Sequence, residues 1–187
     1  MTTMTKGLRA LTLAAALAAG TASVAYAADP MVGGAPMSPS KNVVENASQA
    51  KNLTTLVAAV KAAGLVSTLE GPGPFTVFAP TNAAFDKLPK GTVEKLTQPD
   101  MKAELTKILT YHVVPGKIDK AELEKDIKAN GGSYNMKTVE GETLTAKMDG
   151  DKIALIDAKS GGALVEQADV YQSNGVAYTI DSVLMPK

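Results

Sequence analysis

Phe75-Thr-Val-Phe-Ala-Pro-Thr-Asn-Ala-Ala-Phe85 joins two local patterns back to back, and their junction decides how the chain folds. Phe75-Thr-Val-Phe78 is short, aromatic and β-branched, which predicts a buried strand. Pro80 closes that strand because it has no N–H to give to a ladder. Thr81 offers a hydroxyl to cap a helix carrying Ala83, Ala84, Phe85 and Leu88, and Pro89 ends that helix. All three phenylalanines of the protein lie in this stretch, so much of the aromatic core lies there too. It predicts a core strand turning sharply into a short helix, not a catalytic loop.

Working back from this stretch, Gly71-Pro-Gly-Pro74 breaks the chain. Before it, Leu53, Leu56, Val57 and Val60 follow the spacing of one helix face, with Asn52 as the expected cap and Gly64 as the stop. Val43, Val44 and Ala47 suggest a shorter helix upstream. Residues 28–40 are rich in Gly, Pro and small side chains and read as a flexible lead-in.

Beyond Pro89, residues Thr92 to Leu96 predict a helical turn, and Pro99 suits the first position of a helix. Met101, Leu105, Ile108, Leu109 and His112 share one face of that helix. Val113-Val-Pro-Gly116 then leads out in extended form, and Ala121 to Ile127 predicts another short helix. From Tyr134 the period changes to short β-branched runs: 134–139, 142–148, 152–157, 163–165, 168–171 and 176–184. Lys147-Met-Asp-Gly-Asp-Lys152 is the clearest hairpin, since Asp-Gly accepts the positive φ of a tight turn. Helices first and antiparallel strands second predict an α+β domain with helices at one side of a sheet.

Length and composition narrow the function. The chain has 187 residues, with 19 basic and 19 acidic side chains, so nothing electrostatic points to nucleic acid. Residues 1–27 read as a cleaved export signal: Lys6 and Arg9, an apolar run from Leu11 to Val24, then Ala25-Tyr26-Ala27. The polar residues inside that run make it marginal for a membrane span of ~20 residues. Without cysteine there is no disulfide framework, so the mature chain stands on its apolar core. An exported, monomeric protein of the periplasm or cell exterior, without a membrane span after cleavage, is the expectation.

Three segments together resemble the fasciclin-like (FAS1) domain. Thr76, Val77, Phe78, Ala79, Pro80, Thr81, Asn82 and Phe85 match its first motif, and Leu109-Thr-Tyr-His-Val-Val114 is similar to its central Tyr-His segment. Ser173 to Pro186 is similar to its closing motif, through Gly175, Val176, Tyr178, Ile180 and Asp181. The resemblance runs from about Lys41 to Pro186. It implies a wedge, a β-sandwich of short strands flanked by several short helices, and a domain at 41–187. It also implies a non-catalytic module for surface, matrix or envelope interaction with a protein or matrix component. Where the closing motif commonly has His, this chain has Tyr178, so His112 is the only histidine and no imidazole role carries over to position 178.

In some animal members of that family the Tyr-His pair and its apolar flanks are implicated in integrin binding. The resemblance therefore implies partner contact at Tyr111 and His112 with Ile108, Leu109, Val113 and Val114. The other reading of His112 is a structural residue hydrogen-bonded to backbone. Some members also bind carotenoids in a hydrophobic tunnel, which makes an apolar-ligand carrier the alternative function.

Catalysis finds no support in the sequence. There is no Gly-x-Ser-x-Gly elbow, no cysteine nucleophile and no His-Glu-x-x-His. Asp149, Asp151 and Asp157 lack the spacing of a calcium loop. A copper site built from Met31, Met37 and His112 has donors that suit Cu(I) but no spacing to support it. The expectation is no enzyme, no metal and no cofactor.

Overall fold

The computed structural model describes residues 29–187; the expected export signal lies outside the described residues. The chain opens with two paired strands, β1 (Met31–Val32) and β2 (Ala35–Pro36), and three helices, α1 (Val43–Ala47), α2 (Thr54–Ala63) and α3 (Val66–Leu69). Strand β3 (Phe75–Pro80) turns into α4 (Asn82–Asp86), as the sequence predicts. Then come α5 (Thr92–Leu96), a 3-10 turn at Pro99–Met101, α6 (Lys102–Tyr111), β4 (Val113–Pro115) and α7 (Lys120–Ala129). Five strands finish the domain: β5 (Ser133–Lys137), β6 (Thr143–Asp149), β7 (Lys152–Ile156), β8 (Gly162–Gln172) and β9 (Gly175–Ile180).

The main sheet has the order β4-β3-β9-β8-β7-β6-β5. Strands β3 and β9 run parallel, Phe75 opposite Gly175 through Pro80 opposite Ile180, while the other neighbours are antiparallel. Both are buried on their two faces, as apolar parallel strands must be. Gly175 is required where they meet, because a Cβ there would collide with the Phe75 carbonyl oxygen. The sequence predicts separate strands at 163–165 and 168–171. They are one strand, β8, bent by register shifts between Val165 and Val170.

That bend lets the sheet fold over on itself. Phe78, Val176, Tyr178 and Ile180 on one half meet Met136, Leu144, Ile153 and Leu155 on the other, with Leu123 and Ile127 of α7. The Val139 N–H donates to the Val113 carbonyl at 2.8 Å and ties the end of β5 to β4. On the outer face, Val77, Ala79 and Ala177 pack under Leu56, Val60, Leu105 and Leu109 of the helices. Period-2 alternation thus sends Phe78 inward and its neighbours outward.

Three local readings are corrected. The lead-in is not loose: Gly33 and Gly34, at φ +56° and +79°, make the turn of the β1–β2 hairpin, and Val32 and Met37 are buried in the outer seam. Asn46, fully buried, accepts the Ser38 N–H at 3.0 Å, donates to the Ser38 carbonyl at 2.8 Å and also donates to Gln172. Two glycines between apolar residues are a hairpin signal, outweighed in the sequence by the surrounding prolines.

Asn52 does not cap α2. Its carbonyl accepts the Asn82 N–H at 2.7 Å, and its Oδ1 has no hydrogen-bond partner among the described residues. Asn82, from the first family motif, serves α2 instead: its Oδ1 accepts the Thr55 N–H at 3.0 Å and its amide donates to the Lys51 carbonyl at 3.1 Å. Thr81 caps α4 through its carbonyl, whereas its hydroxyl turns to the Ile180 carbonyl at 3.5 Å. No helix among the described residues is long and apolar enough to cross a membrane.

Candidate binding site

The Tyr-His segment sits where α6 gives way to β4. A helix face needs Leu105, Ile108, Leu109 and His112 on one side, and the strand that follows alternates Val113 and Val114 between the two cores. The consequence is burial: Tyr111 is 0%, His112 2%, Val114 3%, and Ile108, Leu109 and Val113 4% exposed. This corrects the expectation of a contact face. None of the six side chains is presented to a partner.

Both nitrogens of His112 are in use. Nε2 accepts the Leu184 N–H at 3.0 Å, so it carries the lone pair; Nδ1 then bears the proton and donates to the Ile108 carbonyl at 2.8 Å. Burial pushes the imidazole down to about 4, although the Ile108 carbonyl and Asp157 pull the other way. His112 is a neutral strut at neutral pH, and no lone pair is left for copper.

Tyr111 and Tyr178 are struts as well. The Tyr111 hydroxyl donates to the Thr143 carbonyl at 2.8 Å and accepts the Ala158 N–H at 3.0 Å, and burial pushes it up to about 12. Tyr178 lies with its ring centroid 5.3 Å from that of Phe78 and donates to the Ile118 carbonyl at 2.8 Å. Burial raises it too. The tyrosine found where the family motif commonly has histidine therefore fills the inner core and fixes the loop before α7.

Asp157, buried, and Asp181, half-buried, hold turns. Asp157 accepts the Lys159 and Gly161 N–H groups and, through Oδ2, the Met185 N–H. Asp181 accepts the Leu164 N–H at 2.7 Å and meets Lys87 Nζ at 2.9 Å. Burial works to raise Asp181, but those bonds outweigh it and hold the carboxyl below its usual range. Asp149 and Asp151 stay exposed around the Met148–Ile153 hairpin.

A cavity of about 50 Å³ lies in the outer seam, between α1–α3 and the outer face of β3 and β9. Leu56, Val60, Val77 and Ala177 line it, and Val32 and Met37 of the lead-in close it over. Val32 and Met37 belong to the segment whose composition predicts a flexible lead-in, so no periodic pattern marks them as lining. On the exterior, Tyr171 is 39% exposed, with Lys117 Nζ 4.6 Å from its ring centroid.

The strand-to-helix stretch, the buried Tyr-His pair and the β8–β9 closure come together as one architecture, and the fasciclin domain model matches residues 51–186. The chain belongs to the fasciclin domain family. The Synechocystis protein sll1483 is 49% identical over 144 residues, covering 77% of this chain and 73% of that one. The cell surface glycolipoprotein MPB83 of Mycobacterium bovis is 38% identical over 151 residues, covering 77% of this chain and 60% of its own. Among solved structures, a FAS1 domain pair from the insect cell adhesion molecule fasciclin I superposes with a TM-score of 0.67 at 18% identity, covering 78% of this chain and 51% of that one. At that identity the likeness speaks for the fold. The fasciclin domain here places its motif residues as framework: Thr76 bridges the Gly116 carbonyl and the Ile118 N–H, and Asn82 ties α2 to α4.

Proposed function

We propose that this fasciclin domain is an exported, monomeric binding module that attaches to a protein or polymer of the cell envelope or matrix, and acts without turnover. One observation carries the reading: the side chains best suited to chemistry are consumed inside the fold. His112, Tyr111, Tyr178 and Asp157 each spend their polar atoms on backbone groups, at least one of them far along the chain. Recognition is left to the exterior, where Tyr171 stacked under Lys117 is the kind of aromatic-cation pair that anchors interfaces. The leader at 1–27, the cell-surface relative and the cell-adhesion structure support the same reading.

The test is retention of the purified protein on envelopes of its own host. Tyr171→Ala is expected to weaken retention with an unchanged thermal midpoint. His112→Ala is expected to lower the midpoint and leave retention per folded molecule intact. Retention that follows His112 rather than the surface would overturn the assignment.

A carrier of a small apolar molecule, such as a carotenoid or lipid, is the second reading, favoured by the cavity in the outer seam. A site for such a ligand spans roughly 300–1,000 Å³, so the seam must widen to hold one. Solvent extraction of protein purified from its own host decides it: a stoichiometric pigment or lipid replaces the adhesion reading.

A further inference from the structure

Residues 182–187 run past the end of β9 with no ladder of their own. The Asp181 N–H donates to the Leu164 carbonyl, and among the described residues it is the last backbone N–H to reach a backbone carbonyl. Three of the N–H groups that follow go to side chains. Leu184 donates to Nε2 of His112 at 3.0 Å, Met185 to Oδ2 of Asp157 at 2.9 Å and Lys187 to Oε2 of Glu142 at 2.9 Å. Pro186 has no N–H to give. All three acceptors are ionisable groups that acid turns from acceptors towards donors. They come from three places in the chain: the end of α6, the turn after β7 and the entry to β6. Under the segment, Leu184 is fully buried in the inner core.

We infer that residues 182–187 form an acid-released strap, held at neutral pH through His112 and let go when its ring takes a second proton, which uncovers the apolar seat of Leu184. The geometry at His112 makes the release specific. A protonated ring keeps its Nδ1–H on the Ile108 carbonyl but sets a second N–H against the Leu184 N–H, and two donors repel. Asp157 is the charged group whose field the ring feels, and its attraction is smaller than the effect of burial. Glu142 is itself paired with Lys107 Nζ at 3.6 Å, and Asp157 also holds the Lys159 and Gly161 N–H groups. The sheet does not need to open with the strap, because Asp181 remains tied to Leu164 and Lys87.

The sign follows from linkage. With the strap closed, His112 titrates near 4; once wetted, it returns towards 6.5. Above pH 6.5 the ring is neutral in both states and the strap is fully held. Between pH 6.5 and 4 the release constant rises by up to about tenfold per pH unit and levels off below about 4.

Hydrogen–deuterium exchange on the full chain from pH 7.5 to 4, corrected for the intrinsic rate, tests this. The amides of Leu184 and Met185 are expected to lose protection about tenfold per unit below pH 6.5, while those of β3 and β9 keep theirs. His112→Gln, which retains an acceptor and a donor without titrating, is expected to flatten the profile. If that variant does not fold, the wild-type chain still decides the matter: the imidazole titration followed by NMR must share its midpoint with the Leu184 amide. A pH-independent strap, exchange that follows β3 and β9 together, an unaltered profile in His112→Gln, or midpoints that disagree would each overturn the proposal.

Discussion

The inner core around Phe78, Tyr178 and Leu144 and the outer seam beneath α2 share the strands β3 and β9 but are closed by different means. Inside, the largest side chains are wholly buried, and the two tyrosine hydroxyls end on backbone groups. The walls are strands joined by continuous ladders, so the interior is fixed by backbone hydrogen bonding on nearly every side. Outside, the cover is made of short helices and a hairpin, and a cavity of about 50 Å³ remains among the apolar side chains. Asn52 Oδ1, without a hydrogen-bond partner among the described residues, lies against Gly33 on that side too. One sheet thus carries a core walled by ladders and another covered by side-chain contacts, and side-chain contacts give way more readily than ladders.

The largest effect is expected from Phe78→Ala. Removing a fully buried ring from a tightly closed interior costs about 3–5 kcal/mol, read as a fall in the urea midpoint. A loss below about 1 kcal/mol would show that the inner core relaxes as freely as the seam. Asn46→Ala comes next. It strips two bonds from Ser38 and leaves Gln172 Oε1 without its donor, at about 1–3 kcal/mol. Limited proteolysis is expected to cut residues 29–40 first, and uniform resistance would mean that the hairpin is held by its apolar contacts alone. The smallest effect is a gain. Ala47→Leu places methyl groups towards the cavity and is expected to raise the thermal midpoint by the equivalent of about 0.5–1 kcal/mol. A lower midpoint would show that the seam has no room to fill.

The elements themselves were largely legible. The strand closed by Pro80, the helix opened by Pro99 and the hairpin at Asp149-Gly150 each rest on backbone preferences of residues adjacent in sequence. The candidate site was legible only as a list of residues. Ile108, Leu109 and His112 read as a helix face, but a helix face does not say what covers it. Burial of Tyr111 to Val114 came from β5, β6 and the closing segment, each of them tens of residues further on. The hairpin at Met31–Pro36 was hidden for a related reason: its strands are two residues long, too short for any periodicity to register.

What the sequence determined alone is therefore local. It settled where the chain extends, coils and turns, because φ and ψ preferences and apolar spacing act over a few residues. The tertiary structure decided the partners: β3 beside β9 in parallel, β8 bent rather than broken, Asn82 serving Thr55, 27 residues earlier in the chain, and His112 spent on Leu184. Each is a polar or apolar group satisfied by chain far away. Which distant group arrives depends on the packing of the whole domain, since a buried donor or acceptor takes whatever partner the closed fold brings to it.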